Sequence, residues 1–226
     1  MEFWGQPVFG VAATVIPYVA LYYLSFKVKY INPLILTTGF IVLLLLYFGI
    51  PYESYREGGD IITFMLGPAT VALGVPVYRE SKKIKNSLSS ILLGNLTGAA
   101  VGLASAGLIV WILGGSETLI YSMMPKSATT PISVVIVENL GGLPSLGATF
   151  TVITGVIGSL FGPWVLRLCK IEGDIAVGAA MGTTSHGIGT ARALQASKLQ
   201  GSISAFSMGL TGIITAILAV PLYYLL

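Results

Sequence analysis

GDIITFMLGPATVALGVPVYRESKK, residues 59–83, and GDIAVGAAMGTTSHGIGTARALQASK, residues 173–198, open on the same three residues and align with a single gap. Both are apolar, almost uncharged in their interiors, and punctuated by Gly, Pro and hydroxyl side chains. Pro68 carries no N–H and its ring collides with the preceding turn, so Gly67-Pro68 is expected to end one helix and start a new half-helix. The run Gly182 to Thr190 holds the matching place, with Ser185 opposite Thr70. Both stretches are therefore expected to be unwound near the middle of a membrane. The half-helix N-termini so created would favour a small anion, with Thr70 and Ser185 as caps or ligand contacts. The plainer reading, that Gly and Ser only allow close helix packing, fits one such stretch better than two in register. Leu96-Thr97-Gly98 and Leu210-Thr211-Gly212 extend the similarity, so one transmembrane domain, residues 1–226, is expected to hold two internal repeats, 1–114 and 115–226.

Working outward, the rest of the chain is of the same kind. Hydrophobic residues make up 54% and charged residues 9% of the 226, and the mean hydropathy is +0.87. A soluble surface needs about a quarter of its residues charged, so the partner of this surface is a lipid bilayer. Apolar blocks fall at residues 7–26, 33–50, 61–78, 88–113, 119–137, 146–166, 175–193 and 203–226. Each approaches the ~20 residues of a membrane helix, and the short connectors leave helices as the only form that satisfies the backbone in lipid. The expected fold is an all-α polytopic membrane protein of about eight segments, some interrupted, with the first block retained rather than cleaved as a signal.

If all eight blocks cross, Lys27, Lys29, Arg79, Lys82, Lys83, Lys85 and Lys198 share one face, while Arg56, Arg167 and Lys170 share the other. That bias satisfies the positive-inside rule and accounts for the net charge of +3, so nucleic acid is not an expected partner. Treating the third and seventh blocks as re-entrant removes the bias, which favours eight crossings. The lone Cys169 excludes an internal disulfide and a Cys-based metal site. No cofactor or ATP-binding motif is present, and primary active transport by this chain is not expected.

Charge inside the apolar blocks is scarce and therefore informative, because a Lys or Arg at mid-membrane costs about 3 kcal/mol on insertion scales. Lys126 lies in PKSATTPISV, residues 125–134, a polar run between two prolines that offers a cation beside the hydroxyls of Ser127, Thr129 and Thr130. It could equally snorkel to the interface. His186 is suited to proton exchange, or is a neutral ring on a carbonyl. Arg192, at i+7 from Ser185, would share its helix face and could hold a carboxylate, or anchor the helix end. Glu138 could pair with a cation, carry a proton, or merely end a helix. An intramembrane hydrolase built on Ser185 and His186 is disfavoured, since adjacent helical residues point about 100° apart.

Residues 66–78, LGPATVALGVPVY, with PKSATTPISV and 182–194, GTTSHGIGTARAL, resemble in order and spacing the signature segments of the LrgB/CidB family. The resemblance covers essentially the whole chain; Thr184 stands where relatives often have Ala. It implies a multi-pass protein of the bacterial inner membrane that is not an enzyme. Family members include antiholin-like modulators of murein hydrolase activity and autolysis that act with a small holin-like partner of the LrgA/CidA type. They also include the plastidic glycolate/glycerate transporter and members linked to pyruvate uptake. The leading expectation is a proton-coupled carrier of small monocarboxylates, with Lys126, Ser127, Thr129, Thr130, Gly67, Pro68, Thr70, Ser185, His186 and Arg192 at the substrate and His186 or Glu138 handling the proton. The alternative is an antiholin-like membrane modulator. A homodimer is a further expected association.

Overall fold

The computed structural model describes Trp4, residues 6–28 and residues 33–225, and every element among them is helical. The chain forms two compact units, Met1–Ala72 and Leu73–Leu226. The first holds α1 (Pro7–Lys27), α2 (Pro33–Phe48), α3 (Tyr52–Phe64) and α4 (Leu66–Ala72). Helices α1 and α3 touch backbone to backbone where Gly10 meets Gly58: a Cβ on Gly58 would lie 2.7 Å from the Gly10 Cα. One turn on, the hydroxyls of Thr14 and Tyr55 bond at 2.9 Å.

The helix breaks around Pro68 follow from the missing donor. A proline cannot bond the carbonyl four residues back. Pro68 leaves the Phe64 carbonyl without its helical partner, and α3 ends at Phe64; Pro76 does the same to Ala72, where α4 ends. The intervening Met65 and Leu73 keep right-handed helical angles, so the interruptions are turns of helix rather than extended backbone. Gly67 and Pro68 therefore lie within α4, not at the unwound point expected of them, and the side chain of Thr70 lies outside the described residues.

The second unit comprises α5 (Gly74–Arg79), α6 (Ser81–Asn86), α7 (Leu88–Ile112), α8 (Glu117–Met123), α9 (Thr130–Asn139), α10 (Pro144–Leu168), α11 (Asp174–Ala196) and α12 (Lys198–Leu225). Among the described residues, five stretches are long and apolar enough to cross a bilayer: Pro7–Ser25, Tyr52–Arg79, Leu88–Ile112, Pro144–Leu168 and Lys198–Ala219. The 25 residues of α7 extend about 37 Å at 1.5 Å per residue. Ile91 packs with Ile203, and Asn95 reaches the Ser207 carbonyl, so α7 and α12 run parallel at a constant offset. Val137 of α9 packs on Gly147 of α10, which runs the opposite way.

Two of the eight expected crossings are not crossings. A straight 23-residue α11 would hold its ends about 34 Å apart. Instead, Gln200 and Ser197 donate to the Asp174 carboxylate at 2.8 and 3.2 Å, so the chain has returned to its starting level. The reversal is at His186, whose φ of 40° and ψ of −131° are far from helical. Gly182 on the outgoing arm and Thr190 on the returning arm both meet Ser204 of α12. The fifth block likewise leaves and comes back: α8 follows α7 in reverse, Ser127 meets α7 at Gly102, and α9 returns until the Leu143 N–H donates to the Ser122 hydroxyl at 2.8 Å. Helices α8 and α9 are about 10 and 15 Å long, each too short to span.

The two hairpins enter from opposite ends. The α8–α9 hairpin opens at the Ile112 end of α7, where the turn 113–116 starts it. The α11 hairpin opens at the Leu88 end, where Ile175 and Leu199 pack against Ile84 and Ile91. This arrangement redistributes the basic residues. Arg79, Lys82, Lys83, Lys85, Arg167, Lys170, Arg192 and Lys198 all fall in the half toward the Leu88 end, and the Ile112 end of the unit has none among the described residues. The expected opposition of Arg167 and Lys170 to the Arg79–Lys85 cluster is thus corrected, and the charge bias becomes one-sided.

Candidate functional site

The tips of the two hairpins meet α7 on one face, near its midpoint. A Cβ on Gly98 would lie 2.7 Å from the Thr183 methyl, and one on Gly102, a turn further, 3.4 Å from the Ser127 hydroxyl. Residues i and i+4 share a helix face, so α7 carries the α11 tip and the α8–α9 tip on successive turns. About one turn before Gly98, on the side away from Gly102, the side chain of Asn95, fully buried, accepts from Thr183 at 2.6 Å.

The α11 tip is held by α10. Gly155, Gly158 and Gly162 form a side-chain-free strip on which His186, Ser185 and Met181 lie in reverse order. The His186 Nε2–H donates to the Thr151 carbonyl at 2.8 Å, which places the proton on Nε2 and leaves Nδ1 as the second nitrogen. Its own carbonyl accepts from the Thr190 hydroxyl at 2.8 Å, and that hydroxyl also pairs with Ser204. A non-glycine residue at this φ costs about 1–3 kcal/mol and persists only where its surroundings hold it. Ser185 is buried, bonded to Thr184 at 3.1 Å rather than to the neighbouring imidazole.

The other tip is loosely satisfied. Lys126 is half-buried and its ammonium has no hydrogen-bond or ion-pair partner among the described residues. Thr129 caps α9 without a side-chain bond, so the N-terminus of α9 faces the middle of the unit with free N–H groups. The returning arm of α11 also starts at mid-unit, so each tip carries a positive helix end, one of them beside Lys126, and neither tip carries a carboxylate. Among the described residues of this unit, the hydroxyls of Ser133, Thr151, Ser207, Thr211 and Thr215 are buried without partners.

Of the expected site residues, Lys126, Ser127, Thr129, Thr130, Ser185 and His186 are at the two tips. Arg192 is not: the reversal at His186 puts it on the opposite arm from Ser185, exposed and bonded to Gln195 at 3.4 Å. The i+7 spacing therefore does not describe a shared face. Glu138 is exposed at the far end of α9 and pairs with neither Lys126 nor Arg192. Gly67 and Pro68 belong to the first unit. Cavities of about 240 Å³ beside Thr14, Tyr55 and Arg56 and of about 340 Å³ beside Val42, Leu46 and Tyr52 lie in the first unit. Asn95, Ser133 and Thr151 were missed from sequence; the signal open to reading was a lone Asn inside an apolar 25-residue block.

Comparison with known proteins agrees along the chain. The family model described as LrgB-like family matches residues 14–225. YwbG of Bacillus subtilis (strain 168) is 39% identical over 193 residues, covering 85% of this chain and 86% of the relative. YxaC of the same strain is 36% identical over 203 residues, covering 89% and 88%. The holin-like protein CidB of Staphylococcus aureus (strain Mu50 / ATCC 700699) is 33% identical over 214 residues, covering 92% and 93%. No solved structure matches. With a match over nearly its whole length, and with the apolar helices to go with it, this chain is a multi-pass membrane protein of the LrgB-like family.

Proposed function

We propose that the protein is a proton-coupled secondary carrier of small monocarboxylates of the glycolate, glycerate or pyruvate kind, working in the bacterial inner membrane. One observation carries this reading: an unpaired Lys126 beside the free N-terminus of α9, at half the depth of α7, opposite a second hairpin tip. Irregular backbone at membrane depth is tolerated where it serves a polar site, and discontinuous helices are the usual frame of carriers. Lys126 attracts the carboxylate, the hydroxyls of Ser127, Thr129 and Thr130 contact it, and His186 exchanges the proton, imidazole being the side chain that changes charge between pH 5 and 8. The basic Leu88 end faces the cytoplasm by the positive-inside rule. The bonding of Ser185 and His186 to other partners speaks against a hydrolase.

Purified protein in liposomes is expected to take up labelled glycolate, glycerate or pyruvate under an inward proton gradient, and Lys126→Ala and His186→Ala to abolish uptake. Wild-type uptake by both variants ends the assignment. The name of the CidB relatives, holin-like protein, favours a second reading: a membrane modulator of murein hydrolase activity that acts with a small holin-like partner. In that case flux through the purified chain is absent or unselective, and activity returns only when the partner is co-reconstituted.

A further inference from the structure

We propose that the hydroxyls of Ser133 and Thr151 form a specificity subsite that binds the 2-hydroxy or 2-oxo oxygen of the substrate whose carboxylate is held by Lys126; the inference rests on the carrier reading. Both residues are fully buried, and neither hydroxyl oxygen has a hydrogen-bond partner among the described residues. They occupy equivalent places on facing helices. Val137 of α9 packs on Gly147 of α10, and one turn from that contact toward the tips lie Ser133 and Thr151, respectively. The backbone carbonyl of Thr151 is the acceptor for His186, so the pair adjoins the α11 tip. Ser133 lies one turn from Thr129, so the same pair adjoins the α8–α9 tip.

A serine or threonine inside a helix ordinarily bonds the carbonyl one turn back, as Thr97, Thr149 and Thr184 do here. Ser133 and Thr151 do not, which leaves two rotatable O–H groups free to donate to, or accept from, a third oxygen. Buried polar groups in native proteins are almost always paired, with protein or with something bound. On α12, Ser207, Thr211 and Thr215 recur every four residues, and they too are buried and unpaired. Beside Thr211, Gly212 meets Ile132 of α9, so this file of hydroxyls runs past the same place. The need at Ser133 and Thr151 is for a small neutral oxygen. A second carboxylate there would want a second cation, and neither α9 nor α10 carries one near these two hydroxyls. A 2-hydroxy or 2-oxo acid supplies both groups about one carbon apart.

The test compares acids of equal length with and without the oxygen at carbon 2: glycolate against acetate, and pyruvate against propionate, in proteoliposome uptake and in thermal-shift binding. Wild type is expected to favour the oxygenated acid. Ser133→Ala/Thr151→Val is expected to lose about tenfold of that preference, the worth of one good hydrogen bond, with the loss falling on the oxygenated acid. Thr151→Ser, which keeps the hydroxyl, retains the preference. Should the double variant fail to fold, Ser133→Ala and Thr151→Val singly carry the test. A variant that transports normally with its preference intact overturns the subsite and leaves the carrier reading standing. A wild-type protein that binds and transports none of the four acids overturns both.

Discussion

Gly155→Ala is the sharpest single test of how the α11 tip is held. A Cβ at this position would lie 2.5 Å from His186 Cε1, 2.7 Å from Nε2 and 3.0 Å from the Ile188 Cδ1. Carbon atoms settle at about 3.5–4 Å, so the ring must withdraw from α10 by about 1 Å. The Thr151 carbonyl that it bonds is on the same helix, so withdrawal lengthens the 2.8 Å hydrogen bond to about 3.8 Å, beyond hydrogen-bonding range. Overpacking costs about 1–3 kcal/mol and the lost bond about 1 kcal/mol more. Together these lower Tm by roughly 5–15 °C for a chain of this size. Gly94→Ala is the matched control, since nothing lies within 4 Å of its Cβ and alanine favours the helix. Thermal unfolding in detergent and uptake in liposomes should both separate the two variants. If Gly155→Ala is as stable and as active as Gly94→Ala, the packing of His186 against α10 is wrong.

Other substitutions test the surrounding parts. Asn95→Ala leaves the buried Thr183 hydroxyl without its partner and should cost about 1–3 kcal/mol; adding Thr183→Val should recover part of this, with a coupling of about 1 kcal/mol in a double-mutant cycle of thermal stability. Lys126→Met removes an unpaired charge, so uptake should vanish while Tm stays level or rises, whereas loss of both would mean that Lys126 has a structural partner. Arg192→Ala, on an exposed arm away from the tips, should leave substrate affinity unchanged in the same uptake assay.

Much of the architecture is written in local chemistry. The ends of α3 and α4 lie four residues before Pro68 and Pro76, as the missing N–H donors require. The polar, proline-bracketed run at Lys126 marks the α8–α9 tip as surely. The reversal at His186 is different. No proline stands there, and the positive φ falls on a histidine although Gly187 is next to it. What turns the chain is long-range: the Gly155, Gly158 and Gly162 strip of α10 admits one arm closely, and Ser204 of α12 receives both. From sequence those glycines are indistinguishable from ordinary close-packing residues. The error over Arg192 and over the distribution of basic residues follows directly, because the break expected within residues 182–190 is a reversal at His186, which inverts both face and side. Apolar periodicity also gave no sign of which hydroxyls would be left unpaired, since Ser133 and Thr151 differ from Thr149 and Thr184 only in what surrounds them.

Sidedness of the connectors tests the opposed hairpins most directly. Native Cys169, exposed just beyond α10, can be labelled with an impermeant maleimide in oriented vesicles, and single cysteines at Lys83, Ser116 and Lys198 can be compared in a Cys169→Ser background. Two re-entrant hairpins predict that positions 83, 169 and 198 react from one side and 116 from the other. Labelling of 169 together with 116, opposite 83 and 198, would mean that both segments cross the membrane and that the tips do not meet.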